Sequence, residues 1–154
     1  MTRPGEDQLI ATYLRPLATT AGAANLEDDA ATLSVPDGYD LVVTKDMLAV
    51  GVHFFADDPW DAVARKALRV NLSDLAAKGA EPYAYTLGLG LPADWREADL
   101  AALSRGLRHD QATFGIDLLG GDTIKSPSGL VLSVTALGLA PKGRAVRRGG
   151  ARAG

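Results

Sequence analysis

Four acidic positions in this chain have the residue types and surroundings to do chemistry. Glu27-Asp28-Asp29 precedes a short apolar run. Asp46 closes Thr44-Lys45-Asp46 at the end of the most β-like stretch, and Asp122 follows Gly120-Gly121 just after Ile116-Asp117-Leu118-Leu119. Asp74 lies inside Asn71-Leu72-Ser73-Asp74-Leu75-Ala76, where Leu68, Leu72, Leu75 and Ala76 repeat at helical spacing. Asn and Asp compete with the backbone for hydrogen bonds and are poor interior helix formers. A carboxylate among apolar neighbours is costly unless paired or bound to metal, so Asp74 is expected to hold a partner.

Carboxylates at strand ends and on a packed helix can converge in an α/β sheet. Oxygen ligands without Cys or a His set select hard cations, usually Mg²⁺. Mg²⁺ among carboxylates most often serves phosphate chemistry, and the glycine pair before Asp122 admits backbone amides close to a phosphate. Each element also has a plainer reading. Asp28-Asp29 alone is a solvated turn or cap, Asp46 a turn cap, and Gly120-Gly121-Asp122 an ordinary turn. His53 beside Phe54 and Phe55 reads as structural, although only seven residues past Asp46. His109 lies on a polar helix face. Arg147-Arg148 is either a phosphate contact or a solvated tail.

Composition bounds the rest. The chain has 154 residues, 47% hydrophobic and 23% charged, which fits one globular domain with a core. A net charge of −3 offers no nucleic-acid surface. Without cysteine, disulfides, thiolate zinc sites and cysteine nucleophiles are excluded. No apolar run approaches the roughly 18 residues of a membrane span, and Met1-Thr2-Arg3-Pro4-Gly5-Glu6-Asp7 lacks the apolar core of a signal peptide. The expected location is the cytoplasm.

The elements that must position these groups follow from periodicity. Gln8 to Leu17 reads as a helix limited by Pro16, and Ala21 to Leu26 as a small-residue connection. Ala31 to Val35 is expected as a short strand, forming a hairpin through Pro36-Asp37-Gly38 with Tyr39 to Thr44. Asp58-Pro59 is expected to cap a helix that runs to Lys78 and stops at Gly79. Tyr83 to Leu91 is a strand and Glu97 to Phe114 a helix with Leu100, Leu103 and Leu107 on one face. Gly115 to Leu119 and Leu130 to Leu139 are further strands. The fold class expected is α/β (α+β), a mixed sheet with helices packed on one face.

These residues resemble a known family. Thr44-Lys45-Asp46-Met47-Leu48 with Gly51-Val52-His53-Phe54 is similar to the T-T-D-M-L…G-V-H-F motif of the thiamine-monophosphate kinase family. Asn71 to Pro82 resembles its N-L-S-D-L-A-A-M-G-A-x-P motif, and Leu119-Gly120-Gly121-Asp122-Thr123 its I-G-G-D-T motif. Arg148-Gly149-Gly150-Ala151 resembles R-x-G-A, and Glu27-Asp28-Asp29-Ala30-Ala31 resembles G-D-D-A-A. Single motifs are shared with aminoimidazole ribonucleotide synthetase, selenophosphate synthetase and a hydrogenase maturation protein.

The resemblance implies an aminoimidazole ribonucleotide synthetase-like N-terminal domain and ATP-dependent phosphorylation of thiamine monophosphate to thiamine diphosphate. It implies Mg²⁺ at Asp28, Thr44, Lys45, Asp46, Asp74 and Asp122, with no residue acting as a covalent or acid–base catalyst. It implies substrate contact at His53, ATP contact at Gly121, Asp122 and Arg148, and a homodimer paired through sheet edges. Such transfer needs positioning and charge neutralisation, with no strong base. Departures are Glu27 for Gly, Lys45 for Thr, Val50 for an acidic residue and Lys78 for Met. A cation at Lys45 is expected to compete with one Mg²⁺. The resemblance also implies a second α/β domain, so residues 1–154 read as the N-terminal half, with the family's C-terminal domain absent. Two alternatives are another ATP-using enzyme of the superfamily and a non-catalytic dimerisation module that keeps the metal site.

Overall fold

The computed structural model describes residues 4–151. The start at Met1-Thr2-Arg3 and the end at Arg152-Ala153-Gly154 lie outside the described residues. Four strands form one mixed sheet: β1 (Tyr39–Ala49), β2 (Glu81–Leu91), β3 (Asp117–Lys125) and β4 (Val131–Pro141). Their order across the sheet is β1-β4-β2-β3. β4 is antiparallel to both β1 and β2, whereas β2 and β3 are parallel. β1, β2 and β3 therefore all run one way, and β1 and β3 are the two outer strands. Helices α2 (Trp60–Ala77) and α3 (Glu97–Phe114) make the crossovers.

Both helices cover one face. Val63, Leu68, Leu72 and Leu75 of α2 and Leu100, Leu103 and Leu107 of α3 pack on Tyr85, Leu87, Leu89, Leu132 and Val134 of the sheet, in one hydrophobic core. Period-two alternation decides which strand residues reach it. Along β4, Leu132, Val134, Ala136, Gly138 and Ala140 are buried, and the residues alternating with them are half-buried. Among the described residues, no helix covers the opposite face. That face presents Tyr39, Leu41, Val43 and Met47 of β1 and Ile124 of β3, all exposed. The mixed α/β sheet with helices on one face agrees with the pattern in the sequence.

Four local expectations are corrected. Residues 31–35 form no strand, so β1 has no hairpin partner there and pairs instead with the distant β4, in a register that runs from Tyr39↔Pro141 to Ala49↔Val131. β1 extends to Ala49, which places Thr44-Lys45-Asp46 inside a strand. β3 extends to Lys125, so Gly120-Gly121-Asp122 lies within it. Its neighbour β2 supplies a full ladder past the glycines, with a register shift at Tyr85/Thr86. Asp58 does not cap α2; its Oδ2 accepts the Phe55 N–H at 2.8 Å and closes the preceding turn instead. The expected end of α2 is met: Lys78 is the last helical-like residue and Gly79 follows with φ 68°.

Upstream of the sheet, α1 (Glu6–Leu9) continues as a π-type turn over Ile10–Leu14 and a 3-10 turn over Arg15–Leu17. A second 3-10 segment, Ala21–Leu26, ends in three consecutive left-handed residues, Ala24, Asn25 and Leu26, with φ of 45°, 55° and 57°.

Candidate functional site

The acidic residues fall into two groups, one at each edge of the sheet. At the β1 edge, Thr44 and Asp46 alternate onto the helix-covered face, in register with Ala136 and Val134 of β4. α2 crosses above them, and Thr44 Oγ1 donates to Asp74 Oδ2 at 2.8 Å. Lys45 points to the opposite, open face, between Val43 and Met47. The expectation that Lys45 competes for a metal beside Asp46 is therefore not carried by the geometry. The sheet itself separates the two side chains.

Asp74 differs from its expectation too. It is exposed on the flank of α2, so its carboxylate carries little desolvation cost. The buried polar residue of the motif is Asn71, fully enclosed. Its Nδ2 donates to Ala67 O at 2.9 Å, and its Oδ1 has no partner among the described residues. Helical periodicity put an odd polar group inside the apolar stripe. The group that sits there is Asn71, three residues before Asp74.

At the β3 edge, Asp28 and Asp29 face Gly120, Gly121, Asp122 and Thr123 across a cavity of about 320 Å³. Thr86 of β2 and Leu26 of the left-handed turn complete its wall. Gly121 is required there: a Cβ would lie 1.8 Å from the Leu87 carbonyl oxygen. Close strand approach at this register shift leaves space only for hydrogen. Asp29 N–H donates to the Asp28 carboxylate at 2.8 Å, a local side-chain-to-backbone bond within the loop.

The two groups do not converge within one chain. Asp46, Val134, Leu87 and Gly121 lie on one row across the sheet. Three strand spacings thus separate Asp46 from Gly121, roughly 14 Å at the usual interstrand distance. Among the described residues no cluster of three or more Asp, Glu or His side chains could hold one metal ion. The expected meeting of Asp28, Asp46, Asp74 and Asp122 at one point is not found in the single chain.

The remaining candidates sit apart. His53 is exposed in the loop after β1, and its Nδ1 accepts the Ala49 N–H at 3.1 Å. That bond leaves the neutral ring's proton on Nε2, facing outward as a donor. Lys66 Nζ donates to the His53 carbonyl and holds the loop against α2. Arg148 is exposed in a 3-10 turn, Arg148–Gly150. Val146 N–H donates to Lys78 O at 3.0 Å and pins this tail at the C-terminal end of α2, the end that carries Asp74. His109 is half-exposed, but its Nδ1 lies 3.0 Å from the Asp110 carboxylate.

Sequence reasoning did not single out two buried carboxylates. Asp110 on α3 is fully buried and takes a two-point contact from Arg69 of α2, at 2.7 and 2.8 Å. Burial pushes its carboxyl pKa up, but the bonds from Arg69 and His109 outweigh that and hold it below the ordinary range. Asp117, the first residue of β3, is also buried. The signal for both was an acidic residue within an apolar helix face or strand, the same signal that drew attention to Asp74.

A family model described as AIR synthase related protein, N-terminal domain, matches residues 27–140. The chain is 52% identical over 154 residues to the thiamine-monophosphate kinase of Caulobacter vibrioides, covering 98% of this chain and 43% of that protein. The crystal structure of thiamine-monophosphate kinase from Stenotrophomonas maltophilia is similar with a TM-score of 0.74 and 39% identity, over 92% of this chain and 43% of that one. AaThiL complexed with AMPPCP and TMP superposes with a TM-score of 0.72 at 30% identity, over 100% of this chain and 48% of that one. The chain spans less than half the length of the curated relatives it matches.

Proposed function

The chain belongs to the AIR synthase related protein, N-terminal domain, family, and from that premise we propose that it is the Mg²⁺- and ATP-binding unit of a thiamine-phosphate kinase. The reaction is transfer of the γ-phosphoryl group of ATP to the phosphate of thiamine monophosphate, giving thiamine diphosphate, in the cytoplasm. The observation that carries this reading is the cavity at the β3 edge. There a glycine pair in a strand opens backbone to a ligand, and four acidic residues, Glu6, Asp28, Asp29 and Asp122, line the cavity. A relative with 30% identity, AaThiL, has been solved with AMPPCP and TMP, which supports nucleotide and phosphate acceptor as the ligands.

The donor chemistry fits Mg²⁺. Carboxylate and hydroxyl oxygens are its ordinary ligands, and the 2.8 Å between Thr44 Oγ1 and Asp74 Oδ2 is close to an octahedral edge, about 3 Å for bonds of about 2.1 Å. Asp28 and Asp122 at one edge, and Thr44, Asp46 and Asp74 at the other, are the residues that would hold the ions; Lys45 is left out of this set. Bound Mg²⁺ supplies charge neutralisation between the two polyanions. Gly121 opens the strand to the nucleotide phosphates, Asp122 stands beside it, and Arg148 offers a guanidinium to phosphate oxygens. His53, with Nε2–H outward, donates to the acceptor substrate. No side chain needs to remove a proton, because the acceptor is already an anionic oxygen.

Two copies of the chain complete the site. One chain holds its two acidic groups too far apart to share an ion, and its open sheet face is apolar. A two-fold pair that sets the β1 edge of one chain beside the β3 edge of the other joins the groups and covers that face. Isothermal titration of the chain with AMPPCP in the presence and absence of Mg²⁺ tests the reading. Mg²⁺-dependent binding is expected, and no binding at millimolar nucleotide would leave a dimerisation module in its place.

A further inference from the structure

The carboxylates at the two edges are held in different ways, and the β3-edge pair depends on a device that no motif marks. Asp28 and Asp29 belong to a stretch without regular structure, residues 27–36. Their placement beside Asp122 is set at the neck of the loop. Thr32 N–H donates to Gly22 O at 2.9 Å, closing residues 22–32 into a loop whose tip is acidic. Gly22 is obligatory at this neck, since a Cβ would meet the Thr32 carbonyl oxygen at 2.0 Å.

Directly before the neck, Thr19 and Thr20 are fastened to the sheet by one buried side chain. Asp117 accepts the Thr20 N–H at 2.7 Å, the Thr19 N–H at 3.0 Å, the Thr19 hydroxyl at 2.9 Å and Gln111 Nε2 at 3.2 Å. Gln111 also donates to Leu17 O at 2.7 Å, extending the clamp by one turn. Asp117 and Asp122 lie on the same strand, five residues apart. The clamp therefore references the acidic loop to the strand that carries its partner carboxylate. A second tie follows the neck: Arg15 pairs with Glu27 at 3.1 Å, immediately before Asp28. It is exposed and contributes little.

We propose that Asp117 is a positioning residue for the phosphate-metal site: it fixes the loop of residues 22–32 so that Asp28 faces Asp122, without touching ligand itself. This rests on the proposed function of the β3-edge cavity. Metal-site partners one step removed from the ligands commonly contribute 10–100-fold in affinity. Four donors converging on one carboxylate also cannot be satisfied by an amide, whose own N–H₂ would face Thr19 or Thr20.

The test is Asp117→Asn in the full chain, read in two ways. The first is the amide shifts and hydrogen exchange of Glu27, Asp29 and Thr32 without ligand, with the core amides of β2 and β4 as the internal reference. The second is Mn²⁺ binding by electron paramagnetic resonance in the presence of AMPPCP. Expected are displaced shifts and faster exchange confined to the loop, with Mn²⁺ bound about 10-fold or more weakly. Thr19→Ala, which removes one bond and leaves the carboxylate, should shift both readouts the same way by a smaller factor. It carries the test if Asp117→Asn does not fold. Loop amides unchanged in a folded Asp117→Asn variant overturn the proposal, as does unchanged Mn²⁺ affinity despite a displaced loop. If the unmodified chain binds no Mn²⁺ with nucleotide, the reading of the cavity fails, and Asp117 is then a structural clamp only.

Discussion

The two edges of the sheet carry the same chemical groups on opposite kinds of support. At the β1 edge, Thr44 and Asp46 come from the interior of a paired strand and Asp74 from an 18-residue helix packed on it. Regular hydrogen bonding fixes those positions, so one direct contact between Thr44 and Asp74 is enough. At the β3 edge, Asp122 is on a strand but Asp28 and Asp29 are on an irregular loop. That loop needs an obligatory glycine, three left-handed residues and a buried carboxylate to hold it. The difference teaches where tolerance lies. The β1 group should survive changes around it, whereas the β3 group should respond to substitutions that touch no ligand.

The largest expected effect comes from removing one carboxylate at each edge. If the proposed ions are held there, Asp74→Asn and Asp122→Asn should each weaken Mg²⁺-dependent nucleotide binding by about 100-fold, since each removes one proposed ligand oxygen pair. If each complete site draws one edge from each of two copies, mixing the two variants regenerates intact sites. Random pairing restores about a quarter of them by two-fold symmetry. Titration of the mixture counts those sites, and none recovered would show that both edges act within one chain.

A smaller effect concerns acid. Asp110 has a carboxyl held below its ordinary value by Arg69 and His109 despite burial. A depressed carboxyl stabilises the fold above its unfolded pKa of about 3.9, and that contribution is lost as pH falls through the folded value. Melting temperature should therefore drop below about pH 4, and Asp110→Asn should flatten that acid limb while lowering the plateau at neutral pH. This contact ties α2 to α3 and so acts on both edges alike. A site-specific loss of metal binding at the β1 edge alone would contradict it.

Relief of strain should act on one edge only. Ala24 has φ 45°, a left-handed conformation that costs an L residue roughly 1–2 kcal/mol. Ala24→Gly should raise stability by up to about 1 kcal/mol after the entropy of the added glycine is subtracted. Thermal unfolding checks it, and a lower melting temperature would show that the turn holds no strain. The smallest effect belongs to Lys45. Its side chain leaves the sheet on the face opposite Asp46, so Lys45→Thr should change Mg²⁺ affinity by less than about two-fold, the range of screened interactions between exposed groups.

The fold was legible wherever periodicity was long. The 18-residue patterns of α2 and α3 and the alternation of β4 carry their own burial, and the helix bounds agree with the sequence within two residues. The missed features are those fixed by distant partners. β1 and β3 run beyond their apolar cores because β4 and β2 supply ladders there. Residues 31–35 include strand-forming types but join no ladder of the sheet. In the site, residue types were readable but not their grouping. Strand order decides that Asp46 and Asp122 lie at opposite edges, and strand order is not written in any local spacing. Asp117 escaped notice because its donors, Thr19 and Thr20, lie 98 and 97 residues away.

Lys45 has one more consequence. β1 is an outer strand of 11 residues whose open-face side chains, Leu41, Val43 and Met47, are apolar. A long, flat, apolar edge is a template on which unrelated chains can add as further strands, and a lysine near its centre is a common guard against such growth. A chain with threonine at position 45 keeps both acidic groups but loses that guard. The cost of the substitution would then be paid in the test tube as turbidity at high concentration, not in Mg²⁺ affinity.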